Sequence, residues 1–337
     1  MSVSAAPTPA CDFKRMILVT GAAGFIGSHV AKALLARGDA VLGVDNINDY
    51  YDIALKEARL ARLKTDEAFQ FRKLDISDHD AMLALAKEFP GISGIVHLAA
   101  QPGVRYSLIN PYAYVQANVM GHLVMLETAR ALPGLRHLVY ASSSSVYGGN
   151  TKMPFSVDDP VEQPNSLYAA TKRADELIGH TYAHLYGIPS TGLRFFTVYG
   201  PWGRPDMAPM LFARAISAGE PIKAFNRGEM WRDFTYIDDI VDGVLRALDR
   251  PASGTPPHKI YNLGNHRSEK LTDFIAAIEQ ALQKKAIIQL EPMQPGDVQA
   301  TYADIDVSRR ELGFSPETPM SVGIPKFVDW YRGFYGA

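Results

Sequence analysis

Short apolar runs alternate with longer helical segments from residue 16 to residue 195, and this alternation constrains the fold more than any other feature. Runs with the length of buried strands occupy 16–20, 40–44, 69–74, 94–98, 137–142 and 190–195. Helical periodicity fills the intervals, at 25–37, 53–63, 78–89, 111–132 and 167–185. Strands that alternate with helices of this length pair in parallel through right-handed crossovers. The sequence therefore predicts an α/β fold with a doubly wound parallel sheet.

The alternation ends near residue 200, where the chain changes character. Proline and glycine punctuate 201–209, 251–257 and 292–296, and the helical segments become shorter. We expect three parts, with some exchange of chain between the last two: a flexible leader at 1–15, the sheet domain at 16–199, and a smaller mixed α/β lobe at 200–337. Ligands of open α/β sheets bind beyond the carboxyl ends of the strands, so the cleft between the lobes is the predicted site.

Charge and cysteine content exclude several classes of function. The formal net charge of −2 argues against nucleic acid or an anionic membrane as the main partner. No run approaches the roughly 18 consecutive apolar residues of a membrane span, and residues 1–14 lack the pattern of a signal peptide. The single cysteine, Cys11, excludes an internal disulfide. We expect a cytoplasmic protein that binds neither nucleic acid nor membrane, and we predict no metal site.

A glycine-rich turn joins the first predicted strand to the first predicted helix. Gly21, Gly24 and Gly27 let the chain turn tightly and bring backbone N–H groups close to a pyrophosphate at the helix N-terminus. Their spacing is G-x-x-G-x-x-G, which differs from the usual G-x-G-x-x-G. Asp45 closes the second strand, where a carboxylate binds ribose hydroxyls and repels a 2′-phosphate. We therefore predict a Rossmann-type site for NAD, with contacts from Gly21, Gly24, Phe25, Ile26, Gly27 and Asp45.

Further strand ends extend the predicted cofactor site. Asp75 follows the third strand, where its carboxylate could meet the adenine amino group or cap the next helix. Small residues end the fourth strand and leave room for a flat cofactor, whereas His97 beside them is predicted to pack structurally. The additional cofactor contacts expected here are Asn46, Asp75, Ile76, Leu98, Ala99 and Ala100.

Tyr168 and Lys172 lie four residues apart on a predicted helix, and this spacing places them on one face. A phenol ionises with a pKa of about 10, and a nearby cation favours the phenolate. The pair can therefore supply a base that removes a hydroxyl proton. Ser143 stands in a run of serines that ends the fifth strand, and its hydroxyl can hold the substrate beside that base. Together with a dinucleotide site, this arrangement indicates oxidation of an alcohol by hydride transfer.

These residues resemble the extended short-chain dehydrogenase/reductases that act on nucleotide sugars. Within that family the sequence is most similar to UDP-glucuronate 4-epimerases, notably at 45–51 and 195–208. The resemblance implies a tightly held NAD that takes the C4 hydride while Tyr168 accepts the C4 hydroxyl proton. The 4-keto sugar then turns and receives the hydride on its other face. It also implies that Lys172 binds the nicotinamide ribose and that Asn118 lies near the cofactor.

The choice of substrate depends on positions where related enzymes differ. Dehydratases and decarboxylases of this family carry carboxylates in the run that holds Ser144 and Ser145 here. UDP-galactose epimerases have asparagine at the position of Thr197. We hypothesise that Ser143, Ser144, Ser145, Thr197 and Arg204 clasp a C6 carboxylate and prevent loss of CO₂. A surface ion pair or a phosphate contact remains an alternative for Arg204.

The resemblance also suggests residues for the nucleotide and for assembly. Arg232 is a predicted diphosphate ligand, with an ion pair to Asp233 or Asp238 as the alternative. Asp297 is predicted to bind the uridine ribose. Because Gln294 stands where related epimerases have arginine, Arg214 is predicted to share the diphosphate charge.

Predicted helices 111–132 and 167–185 would form a four-helix homodimer interface or pack within one chain. The alternative functions are a neutral UDP-hexose 4-epimerase, a UDP-glucuronate decarboxylase and a non-enzymatic NAD sensor.

Overall fold

The computed structural model describes residues 15–294 and 296–336. The expectations for Cys11 and for nearly all of the leader concern residues outside these ranges. The strands, in chain order, are β1 (Met16–Thr20), β2 (Ala40–Asp45), β3 (Phe69–Lys73), β4 (Ile92–His97), β5 (His137–Ser143), β6 (Ser190–Phe195), β7 (Thr197–Tyr199), β8 (Pro221–Ala224), β9 (Trp231–Arg232), β10 (Phe234–Tyr236), β11 (His258–Leu263), β12 (Glu269–Lys270) and β13 (Ile287–Leu290).

Helices connect these strands and cover the sheet. In chain order they are α1 (Phe25–Ala36), α2 (Ile53–Leu63), α3 (His79–Glu88), α4 (Pro111–Tyr114), α5 (Gly121–Arg130), α6 (Leu167–Tyr186), α7 (Ala208–Ala218), α8 (Ile237–Leu248), α9 (Leu271–Leu282), α10 (Asp306–Leu312) and α11 (Met320–Tyr335). None of those within the described ranges is both long enough and apolar enough to cross a lipid bilayer.

A seven-stranded parallel sheet forms the centre of the fold, in the order β11-β6-β5-β4-β1-β2-β3. The chain winds outward from β1 to β3, returns to add β4 on the other side of β1, and then continues to β6. This reversal creates a switch point between β1 and β4, beyond whose carboxyl ends a crevice opens. The predicted α/β fold with a doubly wound sheet is therefore confirmed.

Helices bury both faces of the sheet. Ile17, Leu18 and Val19 of β1 are fully buried, and their alternating side chains enter two separate apolar clusters. One face packs against α1 and α8, and the other packs against α3, α5 and α6. Because β1 lies at the centre of these layers, the loop that follows it is held rigidly at the crevice.

The chain after residue 200 contributes to the sheet as well as to a smaller lobe. β11 pairs with β6 at the edge of the sheet, and α8 packs against α1. The other late strands form two-stranded pairs, namely β7 with β10, β8 with β13, and β9 with β12. These pairs stand outside the seven-stranded sheet, and α7, α9 and α11 pack against one another beside them.

The predicted helix at 111–132 is interrupted by a π-helical segment, Val115–Met120, between α4 and α5. The side chain of Asn118 within this segment bonds both backbone groups of Gln101, at 2.7 and 3.1 Å, and donates to Thr171 Oγ1 at 3.0 Å. These contacts hold the wider helical turn in place. Single π turns of this kind are frequent at functional sites.

Candidate active site

One cavity of about 420 Å³ lies beyond the carboxyl ends of the sheet strands. Its lining residues come from the glycine turn, from the loops after β2 to β5, from α6 and from the chain after β6. Of the predicted site residues, those that line it are Gly21, Gly24, Phe25, Ile26, Gly27, Asp45, Asn46, Asp75, Ile76, Leu98, Ala99, Ala100, Ser143, Ser144, Ser145, Tyr168, Lys172, Thr197 and Arg204.

The glycine turn between β1 and α1 requires glycine for steric reasons. Gly21 has a φ of +72°, and a Cβ on it would lie 2.8 Å from the backbone nitrogen of Ala99. A Cβ on Gly27 would overlap the carbonyl oxygen of Gly21, far inside van der Waals contact. The absence of side chains therefore lets the turn, α1 and the end of β4 approach one another closely.

The N-terminus of α1 is suited to an anion. Gly24 is the N-cap residue and offers no side-chain acceptor to the first N–H groups of the helix. No carboxylate occupies the first turn. The first N–H groups of a helix have no partner within the helix, and the helix dipole favours negative charge there. With the closely packed glycines beside it, this end of α1 fits the diphosphate of a dinucleotide.

Acidic and amide side chains line the cavity beyond β2 and β3. Asp45 accepts hydrogen bonds from the N–H groups of Ala23 at 3.1 Å and Ile47 at 2.8 Å, and its burial raises its pKa. Asn46 donates to Asp75 at 2.9 Å. The helix after β3 is capped by Asp78, so Asp75 is not needed as a cap. The strand-end carboxylates are thus fixed where ribose and adenine would lie.

Tyr168 and Lys172 occupy the first two turns of α6, which Ser166 caps by accepting from the N–H of Ala169 at 3.1 Å. Tyr168 is half-buried, and Lys172 is 3% exposed. The Nζ of Lys172 donates to the carbonyl oxygen of Ala141 at 3.0 Å and to Asp175 Oδ2 at 2.9 Å. The predicted pair therefore shares one cavity, and its ammonium group is held in a defined position.

The serine run divides into a structural part and a part that faces the cavity. Ser142 donates to Glu176 at 2.6 Å, and Glu176 forms a buried ion pair with Arg194 at 2.8 Å. Ser143 accepts from the N–H of Ser145 at 3.1 Å and begins a short 3₁₀ turn. This turn keeps three successive hydroxyl groups at the end of β5, at the same strand end as the Lys172 anchor Ala141.

Arg204 lines the cavity and forms an ion pair within its own loop. Its guanidinium contacts Asp206 twice, at 3.0 and 2.5 Å, and Asp206 also accepts from the hydroxyl of Tyr50 at 3.0 Å. The side chain of Arg204 is 18% exposed. Two parallel contacts of this kind match a carboxylate, so Asp206 occupies the Nε–Nη2 edge of the guanidinium and orients Arg204 in the lining of the cavity.

A charged cluster lies beside the cavity and combines Arg105 from the loop after β4, Arg232 of β9 and Asp297 from the segment after β13. Arg105 pairs with Asp297 at 3.0 Å and stacks 4.5 Å from the centre of the Phe225 ring. Arg232 donates to backbone carbonyl groups of Trp231 and Gln299, with no ion pair to Asp233 or Asp238 in the described structure. The pKa of Arg232 is lowered, chiefly by burial. Arg105 acts in the same direction, and Asp297 opposes it. Arg105, Arg232 and Asp297 therefore form one electrostatic group, although none of the three lines the cavity.

Besides Arg232 and Asp297, two further predicted contacts, Asn118 and Arg214, do not line the cavity. Asn118 is 1% exposed and uses its amide to hold Gln101 and Thr171, so it supports the cofactor region without lining it. Arg214 is exposed on α7, near Tyr331 and Tyr335 of α11. The helix buries Pro209, Phe212, Ala213 and Ile216 on one side, and this periodicity leaves Arg214 on the outer face. Neither side chain belongs to the lining of the cavity, and the contacts predicted for them stay predictions.

The sequence prediction missed residues whose roles depend on spatial neighbours. Arg105 follows Gly103 in the loop after β4, with no pattern around it that indicates a partner 192 residues away. Asp175 follows Lys172 by three residues, a spacing that brings side chains together on a helix. That signal was present in the sequence. His97 bonds Thr20 at 2.8 Å, and burial with Lys172 lowers its pKa to about 3, as its predicted structural role requires.

Comparison with known proteins agrees with this geometry. Residues 17–264 match the model of the NAD dependent epimerase/dehydratase family. Protein CapI of Staphylococcus aureus is 48% identical over 95% of this chain and 99% of its own. UDP-glucuronate 4-epimerase 3 of Arabidopsis thaliana is also 48% identical, over 95% of this chain and 77% of its own.

A crystal structure of the UDP-glucuronic acid 4-epimerase of Bacillus cereus, in complex with UDP-glucuronic acid and NAD, superposes with a TM-score of 0.88. It is 34% identical and covers 95% of this chain and 100% of its own. The family match spans well over half of the sequence and includes the glycine turn, the serine run and the Tyr168–Lys172 pair. The protein belongs to the NAD dependent epimerase/dehydratase family.

Proposed function

We infer that this protein is an NAD-dependent UDP-glucuronate 4-epimerase that interconverts UDP-glucuronate and UDP-galacturonate. One observation carries the inference: a single cavity joins the Tyr168–Lys172 pair, three serines without a neighbouring carboxylate, and Arg204. The names of the similar proteins from Arabidopsis thaliana and Bacillus cereus agree with it. An epimerase needs one proton acceptor and a means of holding the sugar, and the cavity supplies both.

The position of the acids argues against elimination of water. Among the described residues, Asp45 and Asp75 are the carboxylates that line the cavity, and they follow β2 and β3. The serine run follows β5, three strands away from β2, which corresponds to about 14 Å. No carboxylate of the lining is therefore close enough to protonate a leaving group beside Tyr168. A dehydratase would need such an acid.

The residues present fit NAD. The open N-terminus of α1 suits its diphosphate, Asp45 suits the adenosine ribose, and the small residues Ala99 and Ala100 leave a flat surface beyond β4. When bound, NAD supplies the reversible hydride acceptor for C4 of the sugar. Asp45 also disfavours a 2′-phosphate by charge repulsion, which supports NAD over NADP.

Tyr168 and Lys172 handle the proton. The phenolate of Tyr168 accepts the C4 hydroxyl proton and later returns it to the C4 oxygen. Lys172 favours the phenolate because its ammonium charge is buried and is anchored by Ala141 and Asp175. Ser143 holds the reacting hydroxyl. Because the proton and the hydride are both returned, the reaction needs no second redox partner.

The uronate carboxylate has to be held as well as bound. Oxidation of C4 creates a β-keto acid, which loses CO₂ when the breaking bond stands perpendicular to the carbonyl plane. We propose that Ser144, Ser145, Thr197 and Arg204 hold the carboxylate away from that alignment. Asp206 and Tyr50 orient Arg204 for this contact.

The charged cluster of Arg105, Arg232 and Asp297 is suited to bind the nucleotide end of the substrate. We propose that Arg232 binds the diphosphate and that Asp297 binds the uridine ribose. Arg105 joins them, because its ion pair with Asp297 places its charge in the same region. The cluster contributes two guanidinium groups and one carboxylate, so its net positive charge suits a diphosphate.

Incubation of the purified protein with UDP-glucuronate and no added NAD tests the function. We expect UDP-galacturonate to accumulate to an equilibrium mixture, and we expect denaturation of the protein to release NAD. UDP-xylose or a UDP-4-keto-pentose as the main product would contradict the proposal in favour of a decarboxylase. Conversion of UDP-glucose but not UDP-glucuronate would contradict it in favour of a neutral-sugar epimerase.

We also propose that the enzyme is a cytoplasmic homodimer with lobes at 16–199 and 200–337, where β11 and α8 of the second range complete the first lobe. Exposed apolar side chains along α4, the π-helical segment and α6 support the dimer, since a monomer gains nothing by exposing them. They include Tyr112 at 84%, Val115 at 50% and Leu177 at 53% exposure. Pairing of these helices with their copies would form a four-helix interface.

A further inference from the structure

Asp175 is a buried carboxylate whose contacts go to the active-site lysine. It lies three residues after Lys172 on α6, is 1% exposed, and contacts Lys172 Nζ through Oδ2 at 2.9 Å. Its other oxygen, Oδ1, has no hydrogen-bond partner among the described residues. Carboxylates are almost never buried unless they are paired, and leaving one oxygen unbonded adds to the cost of burial. The fold therefore gains little from Asp175 except its contact with Lys172.

A comparison with the next residue shows how different this arrangement is from a structural ion pair. Glu176 is equally buried, and it bonds Arg194 through both oxygens, together with Ser142 and Arg173. Those contacts tie α6 to β5 and β6. Within the described residues, the side chain of Asp175 makes its hydrogen bond inside α6 and connects no two elements, so its effect is concentrated on Lys172.

We propose that Asp175 is a positioning residue of the epimerase: its carboxylate fixes Lys172 Nζ and sets how much of the ammonium charge acts on Tyr168. The proposal rests on the proposed function and adds a regulator of the base. Two of the N–H donors of Lys172 are directed to Ala141 and Asp175. One N–H donor remains for the cofactor ribose, and the ammonium charge acts on the phenol through space.

Two titratable side chains from neighbouring elements, His122 and Tyr140, face Asp175, and the pKa of each is moved away from neutrality. His122 from α5 has its pKa lowered by burial, with His97 and Lys172 acting in the same direction. Tyr140 from β5 has its pKa raised by burial, and Glu176 and Asp175 raise it further. Burial raises the pKa of Asp175 to about 6, although Lys172 opposes this and Glu176 adds to it. Of Asp175, His122 and Tyr140, Asp175 is therefore the group whose charge changes closest to neutrality.

The sign of the effect follows from charge. An ionised Asp175 compensates part of the Lys172 charge, so it opposes formation of a second anion at Tyr168. Removal of that negative charge lowers the free energy needed to take a proton from the Tyr168–Lys172 pair. This holds whether the proton leaves the phenol or the ammonium group. The same removal takes away one anchor of Nζ, so the maximal rate falls even though the base ionises at lower pH.

The test uses Asp175→Asn in the full-length, NAD-containing enzyme. The acidic limb of kcat/KM for UDP-glucuronate should move to lower pH by up to about one unit, with a gain in relative rate of up to about tenfold at pH values where Asp175 of the wild type is ionised. An independent readout is the ultraviolet absorbance of tyrosinate, measured against Tyr168→Phe in each background. That absorbance should appear at lower pH in Asp175→Asn than in the wild type.

Three further variants separate charge from shape and stability. Asp175→Glu retains the charge and should return the acidic limb to its wild-type position. Asp175→Ser is a second neutral variant, in case the asparagine does not fold. Asp233→Asn is the matched control, because Asp233 is fully buried, has a pKa raised to about 6 by burial, and bonds Thr235 and backbone groups away from Lys172. It should lower thermal stability and leave the limb unchanged.

The outcomes distinguish this inference from the proposed function. An unchanged limb and an unchanged tyrosinate titration in the folded neutral variants would overturn the role of Asp175 while epimerisation by the wild type stands. Absence of epimerisation in the wild type would overturn the function, and the tyrosinate titration would still measure the effect of Asp175 on Tyr168.

Discussion

Lys172 carries its charge in a place that water hardly reaches. It is 3% exposed, and its Nζ is fixed by the carbonyl oxygen of Ala141 and by Asp175. A charge in such surroundings acts on its neighbours more strongly than the same charge in water. Tyr168 shares the cavity one helical turn away. In the proposed mechanism the phenol and the ammonium group act together in proton transfer, so we expect replacement of either residue to remove the base.

Replacement of Tyr168 by phenylalanine tests that unit directly. The variant should lose turnover of UDP-glucuronate by about 10³-fold, since it lacks the proton acceptor, and it should retain NAD and its melting temperature. Tyr182→Phe is the matched control, because Tyr182 lies on the same helix and bonds Glu127 at 2.6 Å without lining the cavity. Steady-state kinetics and release of NAD on denaturation measure both effects. Full activity in Tyr168→Phe would refute the proposed base.

Arg204 should determine the preference for an acidic sugar. In Arg204→Met, kcat/KM for UDP-glucuronate should fall by about 10- to 100-fold, the loss expected for a charge-assisted contact. Activity on UDP-glucose, which lacks the carboxylate, should fall less. Release of a UDP-4-keto-pentose should increase because the carboxylate is no longer held.

Arg214→Met is the control for Arg204→Met, since Arg214 is exposed on α7 and does not line the cavity. A rise in KM for UDP-glucuronate in that control would restore the sequence-based prediction that Arg214 binds the diphosphate. Equal losses of kcat/KM for UDP-glucuronate and UDP-glucose in Arg204→Met would show that Arg204 does not recognise the carboxylate.

Among the elements, the β1–α1 unit depends most strictly on its sequence. The carbonyl oxygen of Gly21 occupies the space that a Cβ on Gly27 would need. The turn and the helix can therefore close over each other only with glycine at both positions. Close approach of these backbones is what brings the N-terminus of α1 to the cavity.

Gly27→Ala should separate helix propensity from packing. Alanine within a helix gains about 1 kcal/mol over glycine, but the overlap with Gly21 forces the backbone apart at a cost of about 1–3 kcal/mol. We expect a lower melting temperature and loss of bound NAD. Gly134→Ala is the control, since its Cβ meets nothing within 4 Å. Retention of NAD by Gly27→Ala at wild-type stability would contradict this account of the turn.

The π-helical segment is an element that periodicity alone does not predict. The sequence at 111–132 has continuous helical character, and the structure inserts a wider turn at Val115–Met120. The cause lies outside the helix, because Asn118 bonds the backbone of Gln101 and the hydroxyl of Thr171. Such contacts outweigh the small preference of a few residues for regular helix.

At the scale of the whole molecule, Arg59 links the two sides of the cleft. It is fully buried and donates to the carbonyl oxygens of Ala23 at 3.1 Å, Trp202 at 2.7 Å and Gly203 at 3.1 Å. The single side chain of Arg59 therefore bonds both the glycine turn and the loop that carries Arg204. This link fixes the distance between the cofactor region and the predicted carboxylate site.

The proposed dimer can be tested through its exposed helix face. Leu177→Glu introduces a charge on α6 and should shift the sedimentation of the protein from dimer to monomer, since a buried unpaired charge is costly at an interface. Leu290→Glu is the control, because Leu290 is 60% exposed on β13, away from these helices. A dimer that survives Leu177→Glu, or a wild type that sediments as a monomer, would contradict the proposed interface.

Most of the central fold could be predicted because its signals are local. Predicted segments such as 53–63 and 190–195 coincide with α2 and β6, since burial repeats with the period of each element. The seventh strand, β11, was missed as a member of the sheet. It follows the predicted lobe boundary, and pairing between segments more than 60 residues apart leaves no periodic trace.

By itself, the sequence determined the glycine turn, the strand-end carboxylates and the Tyr168–Lys172 pair. These features depend on steric limits and helical spacing, which act between residues close in the chain. Only the tertiary structure decided that Arg105 meets Asp297, that Asn118 supports Gln101, and that Arg214 lies outside the cavity. Such contacts arise when distant segments pack against one another, and the spacing of residues along a chain does not encode which segments will meet.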